Sequence, residues 1–198
     1  MFVTFEGIDG CGKTTQAELL ATALREEGRS VVATREPGGT ELGERIRGLL
    51  LDGDDVSPWA EAALFAAARA QLVDDVITPA LHEGAHVVCD RYIDSSLAYQ
   101  GIARGLGVDA VLQLNLQVTR GVLPDRTFVF LIDSADAARR SSGSADRIER
   151  EGLEFQARVD AAFREVAAMF PERIVLLDGM QPAAELARMV RDELRRLS

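Results

Sequence analysis

Phe2-Val3-Thr4-Phe5-Glu6-Gly7-Ile8-Asp9-Gly10-Cys11-Gly12-Lys13-Thr14-Thr15 reads as a short buried strand, a glycine-rich turn and the first residues of a helix. The segment Gly7 to Thr14 fits the pattern G-x-x-x-x-G-K-[ST]. The glycines let the backbone curl until its N–H groups face an anion, and the following helix N-terminus adds a favourable dipole. Gly7, Ile8, Asp9, Gly10, Cys11, Gly12, Lys13, Thr14 and Thr15 are therefore expected to surround the phosphates of ATP. Lys13 is expected to reach the β- and γ-phosphates, and the Thr14 hydroxyl to serve as a magnesium ligand.

Working outward, four more apolar runs read as strands: Val31 to Thr34, His86 to Cys89, Thr127 to Ile132 and Ile174 to Leu177. Like Phe2 to Phe5, they do not alternate strictly, which suits strands covered on both faces. Helical stretches lie between them. Thr15 to Glu27 carries Leu19, Leu20 and Leu24, expected on one face. Trp59 to Leu81 is long and Ala-rich, with Pro79 a kink or an early stop. Asp109 to Thr119 is shorter, Gly152 to Phe170 repeats aromatic and branched residues at helical spacing, and a last helix runs from Pro182 to Leu197. Strands alternating with helices predict an α/β fold with a doubly wound, five-stranded parallel sheet and helices on both faces. Ligands then bind at the carboxyl ends of the strands.

The length of 198 residues fits one domain spanning 1–198. A net charge of −10 argues against a nucleic-acid partner, which requires broad basic surface. Phosphates must be met in a local pocket. Cys11 and Cys89 are not in a CxxC pair, a usage that fits a reducing compartment. There is no basic leader and no apolar run near about 18 residues, so no membrane partner and a cytoplasmic location are expected. Cys11 is assigned no chemistry, since its position requires only a small residue, although a helix N-terminus can lower a thiol pKa; His82, His86 and Cys89 read as structural.

A phosphate loop alone does not separate kinases from other nucleotide hydrolases. No Asn-Lys-x-Asp guanine-reading motif occurs, and Asp9-Gly10 stands where partition-type ATPases carry an extra lysine. His86-Val87-Val88-Cys89-Asp90, a strand ending in a carboxylate, places Asp90 as a second metal ligand. Arg35, Arg47, Arg69 and Arg91 fall at predicted strand ends or on helices facing the pocket. Phosphoryl transfer needs two anionic substrates held in line while cations offset their repulsion, and the guanidinium fork suits phosphate oxygens. Phe65 and Arg69, four residues apart, share a helix face where a ring can stack on a base beside a guanidinium. A regulatory ATPase with a protein partner remains the alternative class; it leaves Asp90 to Gln100 unexplained.

Several long stretches resemble one family. Phe5 to Gln16, Thr34-Arg35-Glu36-Pro37-Gly38-Gly39-Thr40, Leu64-Phe65-Ala66-Ala67-Ala68-Arg69, and Asp90-Arg91-Tyr92-Ile93-Asp94-Ser95-Ser96-Leu97-Ala98-Tyr99-Gln100-Gly101 resemble bacterial thymidylate kinases, as do Pro124-Asp125 and Asp146-Arg147-Ile148-Glu149. The resemblance implies transfer of the ATP γ-phosphoryl group to dTMP, giving dTDP for dTTP synthesis, with Mg2+ and as a homodimer. It implies that thymine stacks on Phe65 and is read by Arg69, Ser96 and Gln100. Pro37 would line the methyl pocket and Tyr99 would disfavour a ribose 2′-OH. Asp9 would hold the sugar 3′-OH region, Arg47 and Arg91 would grip the acceptor phosphate, and Arg35 would support the pocket.

The variable residues of the phosphate loop are not basic. The resemblance therefore implies that arginines come from a lid at about 136–150, whose tip is the Ser/Gly-rich run 141–145. Arg147 is expected over the γ-phosphate, with Arg139 and Arg140 beside the ATP. Lys13, Asp9, Arg91 and Arg147 are the expected catalytic residues.

Overall fold

The structure, a computed structural model, describes residues 1–52, 55–140 and 146–197. The run 141–145, expected as the lid tip, lies outside the described residues. Five parallel strands form one sheet in the order β2-β3-β1-β4-β5: β1 (Phe2–Glu6), β2 (Val31–Arg35), β3 (His86–Asp90), β4 (Arg126–Leu131) and β5 (Ile174–Asp178). Each agrees with its expected run to within a residue at either end. β1 is buried along its whole length, with β3 and β4 on its two sides, whereas the edge strand β2 is partly exposed. The continuous rather than alternating apolar sequence of β1 follows from its being covered on both faces.

The helices are α1 (Lys13–Glu26), α2 (Glu41–Leu51), α3 (Pro58–Leu72), α4 (Thr78–His82), α5 (Ile93–Ser96), α6 (Val108–Val118), α7 (Ser134–Arg140), α8 (Leu153–Met169) and α9 (Ala183–Arg195). The expected leucine face of α1 needs correcting. Leu20 is buried and Leu24 packs against the core, but Leu19 is exposed. Successive helical residues point about 100° apart, so the inward neighbours of Leu20 are Gln16, Ala17 and Leu24.

The long Ala-rich stretch continues rather than stops. α3 passes through a π-helical turn at Val73–Ile77 into α4, whose first turn holds Pro79. A proline lacks the N–H an α-ladder requires, and the wider turn ahead of it lets the chain continue. Trp59, near the start of α3, is half exposed.

α2 and α7 have no counterpart among the expected elements, nor does the helical run α5 followed by a π-helical turn at Leu97–Ala103. These pieces surround the carboxyl edge of the sheet. α2 starts at Thr40, whose hydroxyl accepts from the Gly43 N–H at 3.0 Å. Its Ile46 and Leu50 are buried against Ala68 of α3. Below them, Phe5, Phe128 and Phe130 stack across β1 and β4, joined by Phe155, Val159, Phe163 and Val166 of α8.

Candidate active site

The turn between β1 and α1 is held open by backbone conformations that favour glycine: φ is +81° at Gly10 and +95° at Gly12. The two positions differ in their surroundings. A Cβ on Gly12 would meet nothing within 4 Å, whereas one on Gly10 would strike the Ala137 carbonyl of α7. The helix that carries Arg139 and Arg140 is thus seated directly on the phosphate loop. Lys13 Nζ lies 2.9 Å from Asp9 Oδ1 and 3.5 Å from the Ile8 carbonyl oxygen. The Thr14 hydroxyl donates to Asp90 Oδ2, while Asp90 Oδ1 is buried without a hydrogen-bond partner.

A second cleft adjoins the loop, with an empty volume of about 500 Å³. It lies at the carboxyl ends of β1, β2 and β3. Its lining includes Asp9, Pro37, Arg47, Phe65, Arg91, Ser96, Tyr99 and Gln100, all expected from sequence to bind the acceptor. Phe65 is half buried and shows part of its ring to the space. Gln100 is 1% exposed; its Nε2 donates to Glu61 Oε1 at 2.9 Å and its Oε1 is buried with no partner. Glu36 Oε1 is likewise buried without a partner. Such atoms are costly unless something bonds to them. With the Tyr99 hydroxyl, three of them on one cleft mark it as a site for a polar ligand.

Arg91 follows the last residue of β3 and takes a left-handed conformation, φ +69°, rare for a non-glycine residue. Its N–H donates to Phe5 O at 2.9 Å. Its guanidinium donates to Gly7 O at 2.8 Å, to Ser95 Oγ at 3.2 Å and to Asp9 Oδ1 at 2.8 Å, and lies over the Tyr99 ring. Asp9 thus joins both cations at the border between loop and cleft. Burial alone would raise the Asp9 carboxyl, but Arg91 and Lys13 outweigh it and hold it well below the usual carboxylate range. Arg47 reaches the same space, donating to Pro37 O at 3.0 Å. Arg35 points to the surface, paired with Glu44 at 2.9 Å.

Two expected residues sit otherwise than their sequence reading suggested. Arg69 is 1% exposed and does not line the cleft. Its five N–H groups go to Glu36 twice (2.8 and 2.5 Å), Ser96 Oγ (2.9 Å), Tyr92 O (3.0 Å) and Asn115 Oδ1. In this arrangement it fixes Glu36 and Ser96 rather than touching the cleft itself. Arg147, expected over the γ-phosphate, is turned inward: its Nε donates to Leu50 O at 2.8 Å and its Nη2 to Glu61 at 2.6 Å. Of the other lid arginines, Arg139 is exposed and paired with Asp136 on its own helix, and Arg140 donates to Gly179 O at 2.9 Å. Cys11 is buried, and burial pushes its thiol up rather than down.

Three residues of the site carried no sequence assignment. Glu6, fully buried behind the loop, accepts from the Tyr92 N–H (2.7 Å) and the Ser95 hydroxyl (2.5 Å). Burial and neighbouring Asp94 push its carboxyl up to about 8. Glu36 anchors Arg69. Glu61 precedes Phe65 by four and Arg69 by eight residues, so the signal was a lone carboxylate on the face of an Ala-rich helix that carries both.

A loop built to cradle phosphates, sharing its sheet edge with a polar cleft that collects two arginines, defines a P-loop nucleotide phosphotransferase. The sequence profile of thymidylate kinases matches residues 5–190. The chain is 47% identical over 191 residues to a thymidylate kinase of Caldanaerobacter subterraneus subsp. tengcongensis, covering 96% of this chain and 92% of that protein. It is 50% identical over 183 residues to one from Pelotomaculum thermopropionicum, covering 90% and 85%. The crystal structure of a thymidylate kinase from Ehrlichia chaffeensis superposes with a TM-score of 0.83 at 36% identity, covering 98% of each chain. The chain belongs to the thymidylate kinase family, and is an enzyme of the nucleoside monophosphate kinase class.

Proposed function

We propose that this enzyme transfers the γ-phosphoryl group of ATP to the 5′-phosphate of dTMP, and that the cleft lined by Phe65, Ser96, Tyr99 and Gln100 is the dTMP site. The observation that carries the reading is the shared border: Asp9, Arg47 and Arg91 line the acceptor cleft while Asp9 is ion-paired to Lys13 of the phosphate loop.

Each residue then has a role its position supports. The loop N–H groups and Lys13 bind the donor phosphates. Arg47 and Arg91 bind the acceptor phosphate, and Asp9 bridges Arg91 to Lys13 and orients the sugar. Phe65 stacks on the base, Pro37 flanks its methyl edge, and the Tyr99 ring crowds the sugar. Arg69 acts by holding Ser96 and Glu36 in place. Thr14 and Asp90 would hold Mg2+, and the residues fit: a hydroxyl and a carboxylate meet, one buried carboxylate oxygen is spare, and no larger cluster of acidic, His or Cys ligands occurs among the described residues. A magnesium that shares its coordination with nucleotide phosphates needs only one or two protein ligands, and it supplies charge that offsets the repulsion between the phosphates.

α7 and residues 146–150 belong to the lid of one kinase domain in this reading; α7, resting on Gly10, would exclude water from the transferring group. Arg139, on that helix and paired only locally, is better placed than Arg147 to turn toward the donor. Homodimerisation through α2 and α3 is supported by the exposed Leu42, Leu49 and Trp59 on them. Among the described residues no helix is long and apolar enough to cross a membrane, and we assign a cytoplasmic location.

The test is a coupled ADP-release assay with ATP and magnesium, offering dTMP, dUMP, dCMP, AMP, GMP or no acceptor. Turnover with dTMP far above all others and near zero without acceptor is expected. Acceptor-independent turnover, or preference for a purine monophosphate, would sink the assignment of the cleft.

A further inference from the structure

Glu61 lies on α3, 1% exposed, and collects three partners from distant parts of the chain. Its Oε1 accepts from Gln100 Nε2 (2.9 Å) and Arg104 Nε (3.3 Å). Its Oε2 accepts from Arg104 Nη2 (3.2 Å) and Arg147 Nη2 (2.6 Å). Arg104 in turn pairs with Glu151 at 2.7 Å. Burial alone would raise the Glu61 carboxyl, but the hydrogen bonds of Gln100 and Arg147 and the charge of Arg104 outweigh it and hold it below the ordinary range. Glu61 is therefore an anion, and an anion only accepts.

That fact decides which way the Gln100 amide faces. Its NH2 group must point to Glu61, so its carbonyl oxygen is the atom left for the cleft; Gln100 lines that cleft and its Oε1 is buried without a partner. We infer that Glu61 is a specificity-positioning residue: by holding the Gln100 NH2, it presents a fixed acceptor that takes an imide N–H, as thymine and uracil carry at N3, and rejects cytosine, whose N3 is itself an acceptor. The same carboxylate also ties down Arg147, so the segment 146–151, which contributes Asp146 and Ile148 to the cleft wall, is seated by the residue that orients the base-reading amide. The inference rests on the cleft being the pyrimidine monophosphate site.

The test compares kcat/KM for dTMP and dCMP in the wild type, in Glu61→Gln and in Arg104→Met. A glutamine at 61 can donate as well as accept, which releases the Gln100 amide to turn over and offer its NH2 to cytosine. The dTMP-to-dCMP ratio is expected to fall at least about tenfold in Glu61→Gln, mainly through a raised KM for dTMP, the scale of one neutral hydrogen bond gained or lost. Arg104→Met, which removes a partner of Glu61 that does not touch Gln100, is expected to keep the ratio within about twofold. An unchanged ratio in folded Glu61→Gln, or an equal fall in Arg104→Met, overturns the inference. If Glu61→Gln does not fold, the side-chain amide resonance of Gln100 in the wild type answers the question. Its NH2 protons should be slow to exchange and nearly unmoved by dTMP; a large shift on binding shows that the NH2 group, not the oxygen, meets the base. A wild type with no preference for dTMP over dCMP would fail the assignment of the cleft itself, and so is distinguishable from a wild-type preference that Glu61→Gln leaves intact.

Discussion

Arg69→Met removes a guanidinium whose five N–H groups are all bonded inside the protein, and it strands the Glu36 carboxylate, itself only 5% exposed. Breaking a buried ion pair from one side typically costs about 3–5 kcal/mol, because the remaining charge has lost its partner. For a chain of this size, each kcal/mol lowers Tm by about 2–4 °C, so a fall of roughly 6–20 °C is expected. The pH dependence separates this cause from simple loss of packing. Burial already raises the Glu36 carboxyl above its ordinary value of 4.5, and Arg69 is the cation that opposes the rise. Without Arg69 it rises further, so the folded variant binds a proton that its unfolded chain releases near neutrality. A group raised in this way favours the fold fully below its unfolded pKa and ceases to do so as pH passes the raised value. The deficit relative to wild type should therefore grow from pH 5 to pH 8 in urea melts followed by circular dichroism. Adding Glu36→Gln to Arg69→Met should regain at least half of the loss at pH 8. A deficit under about 1 kcal/mol, or one that grows toward acid, would refute the argument.

Three further outcomes are expected. Asp90→Asn should leave dTMP affinity by calorimetry within about threefold while lowering kcat by about a hundredfold or more, since in the proposed reading it weakens the metal side of the site alone. Gly10→Ala puts a methyl into the Ala137 carbonyl at a φ of +81°, and neither backbone can yield cheaply, so ATP affinity should fall at least about tenfold in a filter-binding titration with the fold retained by circular dichroism. Glu6, raised to about 8 by burial and Asp94, contributes stability below the ordinary carboxylate range that disappears as pH climbs through 8; the wild-type Tm should drop between pH 6 and 9, and Glu6→Gln should flatten that drop.

The strands and the phosphate loop were legible because their signals are local: apolar runs of a few residues, and glycines at fixed offsets before Lys13. α2 left a weaker trace. Thr40 caps it and Ile46 and Leu50 are four apart, but Gly43 and Gly48 lower its helix propensity. The helical run after β3 passes into an i→i+5 turn, for which there is no sequence period to read. Arg69 and Arg147 show the deeper reason. Whether an arginine faces a ligand or a buried glutamate depends on what lies opposite, and Glu36 and Glu61 stand 33 and 86 residues away from them. Charge and spacing mark such residues as important without saying which partner they keep.

Asp90 and Arg91 are consecutive, and in the proposed reading they serve opposite sides of the reaction. The carboxylate meets Thr14 at the end of the phosphate loop, and the guanidinium reaches across Gly7 and Asp9 to the neighbouring cleft. Both hang from β3, which is paired to β1 in a fixed register, Phe5 opposite Asp90, and the Arg91 N–H continues the ladder onto Phe5 O. In the proposed reading, the gap between the two substrates is thus measured by sheet pairing. A slip of one residue along β3 would put Arg91 where Asp90 stands or Asp90 where Arg91 stands, and would turn the strand's side chains to the opposite face, so this geometry has no gradual way to fail.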